Sequence, residues 1–255
     1  METGAVVAVT GAAHGIGAAV AERAAQAGYS VALIDRDEPA VRGQAQRLAR
    51  DGASCLALAC DVSSEQEVRD AFAEVGNRLG PVTALVTSAG IDRGAAVHEL
   101  ASSTWDQVHA VNLRGTFLAC RAVLATMLVR GGSIVCISSP FALASAGHVA
   151  AYASSKAGVC ALVRSMAVDY ARYGIRVNAV LPGPTDTRLM WANVPEEEIE
   201  DVKAQVCCEV PIGRLAEPAE IAETTLWLLS DAASYITGAQ IPCDGGLLAK
   251  AAISV

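Results

Sequence analysis

The sequence predicts a doubly wound α/β domain in which helices cover both faces of a parallel sheet. Three observations carry that prediction. Six short runs, 5–10, 30–35, 54–60, 83–88, 133–138 and 176–181, are apolar at nearly every position, as buried parallel strands are. The segments 16–28, 38–51, 64–79, 104–129, 151–173 and 218–230 carry Ala, Leu and Val at helical spacing. Strand and helix alternate, which requires crossover connections and hence a three-layer α/β/α arrangement. No Gly/Pro/Ser-rich linker divides the 255 residues and no repeat period shows, so a single domain is expected over 1–255.

The composition is that of a core-rich globular protein, with 53% hydrophobic residues and a mean hydropathy of +0.37. Twenty-seven acids against nineteen bases give a net charge of −8 with no Lys/Arg cluster, which argues against nucleic acid or an anionic membrane surface as partner. The uncharged stretch 131–155 is broken by Ser, Gly and Pro and does not suit a membrane span. Glu2 stands where an export signal would be basic, so a cytoplasmic location is expected. The eight cysteines show no CxxC pair and no metal-ligand rhythm with the four histidines, and no metal site is expected. Cys207-Cys208 is the one adjacent pair, read as partly buried in a mobile segment rather than as a redox pair.

"TGAAHGIG" (10–17) joins the first strand to the first helix. Glycines at 11, 15 and 17 allow a tight turn and a close backbone approach to a pyrophosphate, and the helix N-terminus beyond adds partial positive charge. Ile16 belongs to the same turn. His14 within it is either a phosphate neighbour or a solvent-facing spacer. The second strand ends in Asp35, twenty residues after Gly15, the spacing at which a carboxylate meets the adenosine ribose of a dinucleotide. Arg36 would favour a 2′-phosphate. With Asp35 at the ribose position and no Lys or Arg within 10–17, NAD is expected over NADP. Asp61 and Val62, ending the third strand, suit the adenine edge and face, or else cap the next helix.

In "YASSK" (152–156), Tyr152 and Lys156 lie four apart and so share one face of a helix. A nearby ammonium is expected to lower the tyrosine pKa from about 10 and make the phenol an acid/base near neutral pH. Lys156 is also within reach of the nicotinamide ribose. Ser139, past the fifth strand, is placed to bond the same substrate oxygen. Ser138 competes for that role but should point to the other side of an extended chain.

Between the sixth strand and the last long helix lies an acidic insertion, 185–213. It leaves a strand's carboxyl end, where ligands bind in open α/β sheets, and carries Met190 and Trp191 in a polar stretch, so it is read as a lid. Phe141, Leu143, Met190 and Trp191 are candidate pocket walls, each equally readable as core. His148, four residues before Tyr152, borders the expected substrate loop and is otherwise a surface histidine. The pocket is expected mainly from 91–98, 140–149 and 188–210.

Together "TGAAHGIG", "ACDV", "TSAG", "VNLRGTF", "GGSIVCISS", "YASSKAG", "IRVNAVLPGPTDT", "GRLAEPAEIA" and "YITGAQIPCDGG" make the chain resemble the short-chain dehydrogenase/reductase family over its whole length. The resemblance implies a Rossmann fold and a tetrad of Asn112, Ser139, Tyr152 and Lys156. In that tetrad Tyr152 is the acid/base, Ser139 orients the substrate and Asn112 holds a water that relays the proton. Lys156 binds the ribose and lowers the tyrosine pKa. The resemblance also places Ser88, Ala89 and Gly90 beside the cofactor, and Pro182, Gly183, Thr185 and Thr187 near the nicotinamide carboxamide. Ser88 departs from the family's Asn, and Pro140 after Ser139 is unusual; neither touches the tetrad. Helices 104–129 and 151–173 are apolar on more than one side and need a second cover. The resemblance implies a homotetramer.

The activity expected is hydride transfer between a secondary alcohol or ketone and nicotinamide. Two alternatives are a 3-oxoacyl-thioester reductase and a non-catalytic dinucleotide-binding scaffold. The intact Tyr152/Lys156 pair argues against the scaffold.

Overall fold

The computed structural model describes residues 5–250. Seven strands, β1 (Val6–Thr10), β2 (Ser30–Asp35), β3 (Cys55–Ala59), β4 (Val82–Thr87), β5 (Gly132–Ile137), β6 (Ile175–Pro182) and β7 (Gln240–Cys243), form one sheet. The order is β3-β2-β1-β4-β5-β6-β7, and every neighbouring pair is parallel. The chain winds outward from β1 in one direction and then from β4 in the other. That reversal opens a crevice at the carboxyl ends of β1 and β4.

The helices are α1 (Gly15–Gln26), α2 (Glu38–Arg50), α3 (Glu65–Arg78), α4 (Ser102–His109), α5 (Thr116–Arg130), α6 (Ala150–Tyr170), α7 (Arg188–Trp191), α8 (Ile199–Glu209) and α9 (Pro218–Leu229). Alternate strand residues feed two cores, because side chains on a strand point to opposite faces. Val7, Val9, Leu33 and Val135 pack with Val20, Val41 and Leu228 from α1, α2 and α9. Ala8, Leu85, Ile134 and Val177 pack with Val75, Leu118, Val123 and Val163 from α3, α5 and α6.

The sequence-predicted strands and long helices match these elements with small shifts at their ends. Two features were not foreseen. β7 is a four-residue edge strand containing Pro242, which is tolerated there because an edge residue needs no second ladder partner. The stretch read as one helix over 104–129 holds a π turn, Ala110–Gly115, between α4 and α5. The continuous helix 102–130 is long and apolar enough to cross a membrane, but Leu118, Cys120, Val123 and Met127 pack it onto the sheet.

Candidate active site

One cleft of about 920 Å³ runs along the carboxyl ends of the strands, from Asp35 past the glycine turn to Tyr152 and the 185–213 insertion. Its floor is backbone. Gly11 has φ 70°, and a Cβ there would come within 2.6 Å of the Ala89 nitrogen. A Cβ on Gly183 would lie 2.5 Å from Asp244 Cα. Gly17 is buried below the cleft, where a Cβ would meet the Gly11 carbonyl at 2.1 Å; it lets helix and turn close on each other rather than touching a ligand. At the start of α1 no side chain caps the helix and no acid occupies the first turn, so its leading N–H groups remain available to an anion.

Asp35 holds that turn from the side. One carboxylate oxygen accepts the Ala13 N–H at 3.0 Å and the other accepts the Asp37 N–H at 3.0 Å. Each oxygen keeps lone-pair capacity for a ribose hydroxyl. Asp61 Oδ1 is occupied by the Ser63 N–H and hydroxyl at 2.8 and 2.7 Å, while Ser64 caps α3. Asp61 therefore fixes its own loop and still lines the cleft beside Val62, which packs on Gly115. A low backbone floor, a free helix N-terminus and a carboxylate at ribose spacing fit a dinucleotide.

At the mouth lies a group that sequence reasoning left unassembled. His14 Nε2 is 2.9 Å from Asp37 Oδ2, and Arg188 of α7 reaches His14 at 3.2 Å. The His14 imidazole beside Asp37 lowers that carboxyl's pKa. One ring nitrogen cannot donate to Asp37 and accept from Arg188 at once, so His14 bonds to one of them at a time, at the junction of the glycine turn and the insertion. Arg36 is exposed and lines the same end.

The catalytic candidates converge at the other end. Lys156, only 4% exposed, donates to the Ile137 carbonyl at 2.8 Å, with its ammonium 5.6 Å from the Tyr152 ring centroid. Ser138 turns away, donating to the Lys156 carbonyl at 3.0 Å. Ser139 accepts the Phe141 N–H at 3.2 Å and lines the cleft with Tyr152. The alternation of an extended chain separates the two serines. The ring of Phe141 meets Tyr152 edge-on at 6.5 Å and 85°.

The lowered Tyr152 pKa expected from Lys156 does not hold for the protein alone. Burial pushes the phenol up to about 12; the Ser139 hydroxyl works against this and the Asp92 charge adds to it. Burial likewise pulls Lys156 down to about 8. The ammonium lies toward the ring and is spent on the Ile137 carbonyl, so dehydration wins over the charge.

Asn112 sits in the π turn, fully buried. Its Oδ1 accepts the Ile91 N–H at 2.9 Å, and its Nδ2 donates to the Ile91 carbonyl at 2.9 Å and to Ser155 Oγ at 3.0 Å. Both amide hydrogens are thereby used. The side chain clamps the loop after β4 onto α6, and the water-holding role has no free N–H of this amide to draw on.

Ser88, Ala89, Gly90, Ile16, Pro182, Thr185, Thr187 and Met190 all line the cleft as expected from the sequence. Three pocket candidates do not. Trp191 is turned out, its indole N–H donating to Asp186 at 2.8 Å. Leu143 is 59% exposed. His148 is exposed with φ 63°, the one positive φ outside glycine among the described residues; its carbonyl accepts the Ala95 N–H at 2.9 Å and so pins two loops together. The insertion does border the cleft, through Arg188, Leu189, Met190, Val206 and Val210. Cys207 is half-buried and Cys208 exposed on α8. Leu247 and Leu248 also line it; the Asp244 carboxylate holds them by accepting the Gly246 and Leu248 N–H groups.

A parallel sheet, a dinucleotide-shaped crevice and an inward Ser–Tyr–Lys set define a dinucleotide-dependent oxidoreductase. A family model described as enoyl-(acyl carrier protein) reductase matches residues 11–248. The 2-(S)-hydroxypropyl-CoM dehydrogenase 3 of Xanthobacter autotrophicus is 39% identical over 246 residues, 96% of this chain and 96% of that protein. The cis-4-hydroxycyclohexanecarboxylate dehydrogenase of Sinomonas cyclohexanicum is 41% identical over 247 residues, again 96% of each. The actinorhodin polyketide ketoreductase, solved with NADPH, superposes with a TM-score of 0.91 at 35% identity, covering 96% of this chain and 98% of that one. The chain belongs to the short-chain dehydrogenase/reductase family, whose members are oxidoreductases that bind a nicotinamide dinucleotide.

Proposed function

We propose that the protein is an NAD(H)-dependent dehydrogenase of secondary alcohols, working reversibly on their ketones, with Tyr152 as the acid/base. The observation that carries this reading is the convergence of Ser139, Tyr152 and the buried Lys156 at one end of the cleft, with the Lys156 ammonium 5.6 Å from the Tyr152 ring centroid. When bound, the cofactor supplies the hydride-exchanging carbon and, in its oxidised form, a positive charge that favours phenolate. Tyr152, deprotonated, takes the hydroxyl proton of the alcohol. Ser139, whose oxygen is already held by the Phe141 N–H, donates its own hydrogen to the substrate oxygen. Lys156 stabilises the phenolate from the ring side. Asn112, through Ile91, keeps the loop facing these groups in place.

NAD is favoured because Asp35 is joined at the adenosine end by a second carboxylate, Asp37, both lining the cleft. Two negative groups there oppose a 2′-phosphate by charge. Titration of the protein with NADH and NADPH, followed by nicotinamide fluorescence, should give tighter NADH binding. Asp35→Ala should move the preference toward NADPH by about tenfold, the loss of one charge-assisted hydrogen bond. Tighter NADPH binding by the unaltered protein would sink the NAD assignment.

The second reading, a 3-oxoacyl-thioester reductase, draws on the description of the family model. It needs a free basic surface for an acidic carrier. Arg114 and Arg121 are both drawn to Glu65, at 3.5 and 2.5 Å, which cancels one of their two charges. The eight cysteines are unpaired, which suits a reducing cytoplasm.

We also place the protein in a homotetramer. Phe117 and Val129 on α5 and Val168 on α6 are 41%, 86% and 82% exposed, an apolar face that a second copy would cover. Light scattering after size exclusion should return a multiple of the 26.2 kDa chain; a monomer at micromolar concentration would refute assembly.

A further inference from the structure

The catalytic end of the cleft holds a charge that the proposed chemistry does not use. Asp92 lines the cleft with Tyr152 and Ser139, and its Oδ1 is buried without a hydrogen-bond partner among the described residues. Buried carboxylate oxygens are rarely left so, because dehydration is uncompensated.

The position is not slack. Ile91, its neighbour, is held on both backbone groups by Asn112. Two residues on, Gly94 lies close to the His148 carbonyl, which a Cβ would meet at a tight 3.2 Å. Ala95 is bonded to that same carbonyl at 2.9 Å. The backbone is held on both sides of Asp92, which fixes where its side chain starts. Arg93 is exposed; its guanidinium donates to the Asp92 backbone carbonyl at 3.0 Å and not to the carboxylate. Asp92 is close enough to raise the Tyr152 pKa by its charge; burial raises its own, against the Arg93 backbone N–H and charge, which lower it without reaching the buried Oδ1.

We propose that Asp92 is a specificity residue: its buried oxygen accepts a hydrogen bond from a second donor on the substrate, next to the carbon that reacts. The substrate class is then a secondary alcohol with a neighbouring hydroxyl or ammonium group, a vicinal diol, polyol or amino alcohol. A purely apolar alcohol leaves Oδ1 without a hydrogen-bond partner beside the phenolate that must form. A donor on the substrate satisfies the oxygen and disperses its charge in the same step. The proposal rests on the alcohol-dehydrogenase reading of this site.

The test compares butan-2-ol, butane-2,3-diol and 3-aminobutan-2-ol as substrates with NAD, for the unaltered protein, Asp92→Leu and Asp92→Asn. The expected result is a preference for one or both donor-bearing alcohols over butan-2-ol of at least about tenfold in kcat/KM, as for a site that loses a hydrogen-bond partner. Asp92→Leu should reduce that ratio to below about threefold. Asp92→Asn, which keeps an acceptor oxygen without the charge, should retain a diol preference but lose an ammonium preference. Which of the two substrates responds identifies the donor. An equal or greater rate with butan-2-ol in the unaltered protein, or a ratio that survives in both variants, overturns the proposal. Should Asp92→Leu fail to fold, Asp92→Ala takes its place: it removes the acceptor with less bulk, and the ratio for either substrate must again fall below about threefold. Failure to oxidise all three, together with no reduction of the matching ketones, overturns the alcohol-dehydrogenase reading and this proposal with it. A functioning enzyme with an unaltered ratio overturns only the proposal.

Discussion

Tyr152→Phe should lower kcat/KM for alcohol oxidation by about 10³-fold, within the range that a positioned acid/base contributes. NADH affinity should move by less than about twofold, since the phenol is needed for the proton and not for the dinucleotide. Folding should survive, because Phe keeps the ring that meets Phe141 edge-on. Only the hydroxyl is lost, and no hydrogen bond of the fold depends on it among the described residues. Steady-state rates, with NADH titration as the control, give the result. Retention of full turnover would show that the proton leaves by another route and would overturn the mechanism. Burial is the main cause that holds the phenol near 12. The dehydrated hydroxyl contributes little to stability that its removal could forfeit.

The sequence disclosed the site better than its environment. The glycine turn, Asp35, Ser139, Tyr152 and Lys156 stand at strand ends or on one helix face, so spacing and periodicity were enough to bring them together. The choice of Ser139 over Ser138 rests on the family's spacing to Tyr152 and on the alternation of an extended chain; the two hydroxyls do part, Ser138 to the Lys156 carbonyl and Ser139 to the Phe141 N–H. What spacing could not show was dehydration. The phenol and ammonium were expected to lower the tyrosine pKa as a pair, but the fold buries both, and burial acts on each before either acts on the other.

Features made by long-range contact were equally hidden. The π turn around Asn112 breaks no hydrophobic pattern. His148 gave no sign that its backbone, not its imidazole, would matter. Trp191 was picked for size, yet its indole N–H found Asp186 and left the cleft. Asp92 sat two residues after Gly90 in a stretch with no periodic signal. Its meaning comes only from the clamps on either side and from the missing hydrogen-bond partner.

Lys156→Met should produce opposite changes in activity and in stability. The ammonium is almost wholly buried, with one backbone carbonyl as its hydrogen-bond acceptor. Its pKa falls from 10.5 to about 8. Because the folded pKa is the lower one, the unfolded chain binds more protons between these two values, and stability must rise as pH increases through that window. Below about pH 8 the charged lysine therefore costs the folded protein, on the order of a few kcal/mol by linkage. Thermal melts of the cofactor-free protein should climb from pH 8 toward pH 10.5, and Lys156→Met should flatten that climb. At pH 7 the variant should melt no lower than the unaltered protein, less a small loss for the Ile137 carbonyl left unbonded. Alcohol oxidation should fall by about 10²-fold or more, with the rising limb of its pH profile displaced to higher pH, because phenolate loses its neighbouring cation. A variant that lost stability and activity together, with an unshifted pH limb, would make Lys156 a packing residue. A variant that gained stability while losing turnover would show that the fold keeps a buried charge for catalysis and is less stable for it.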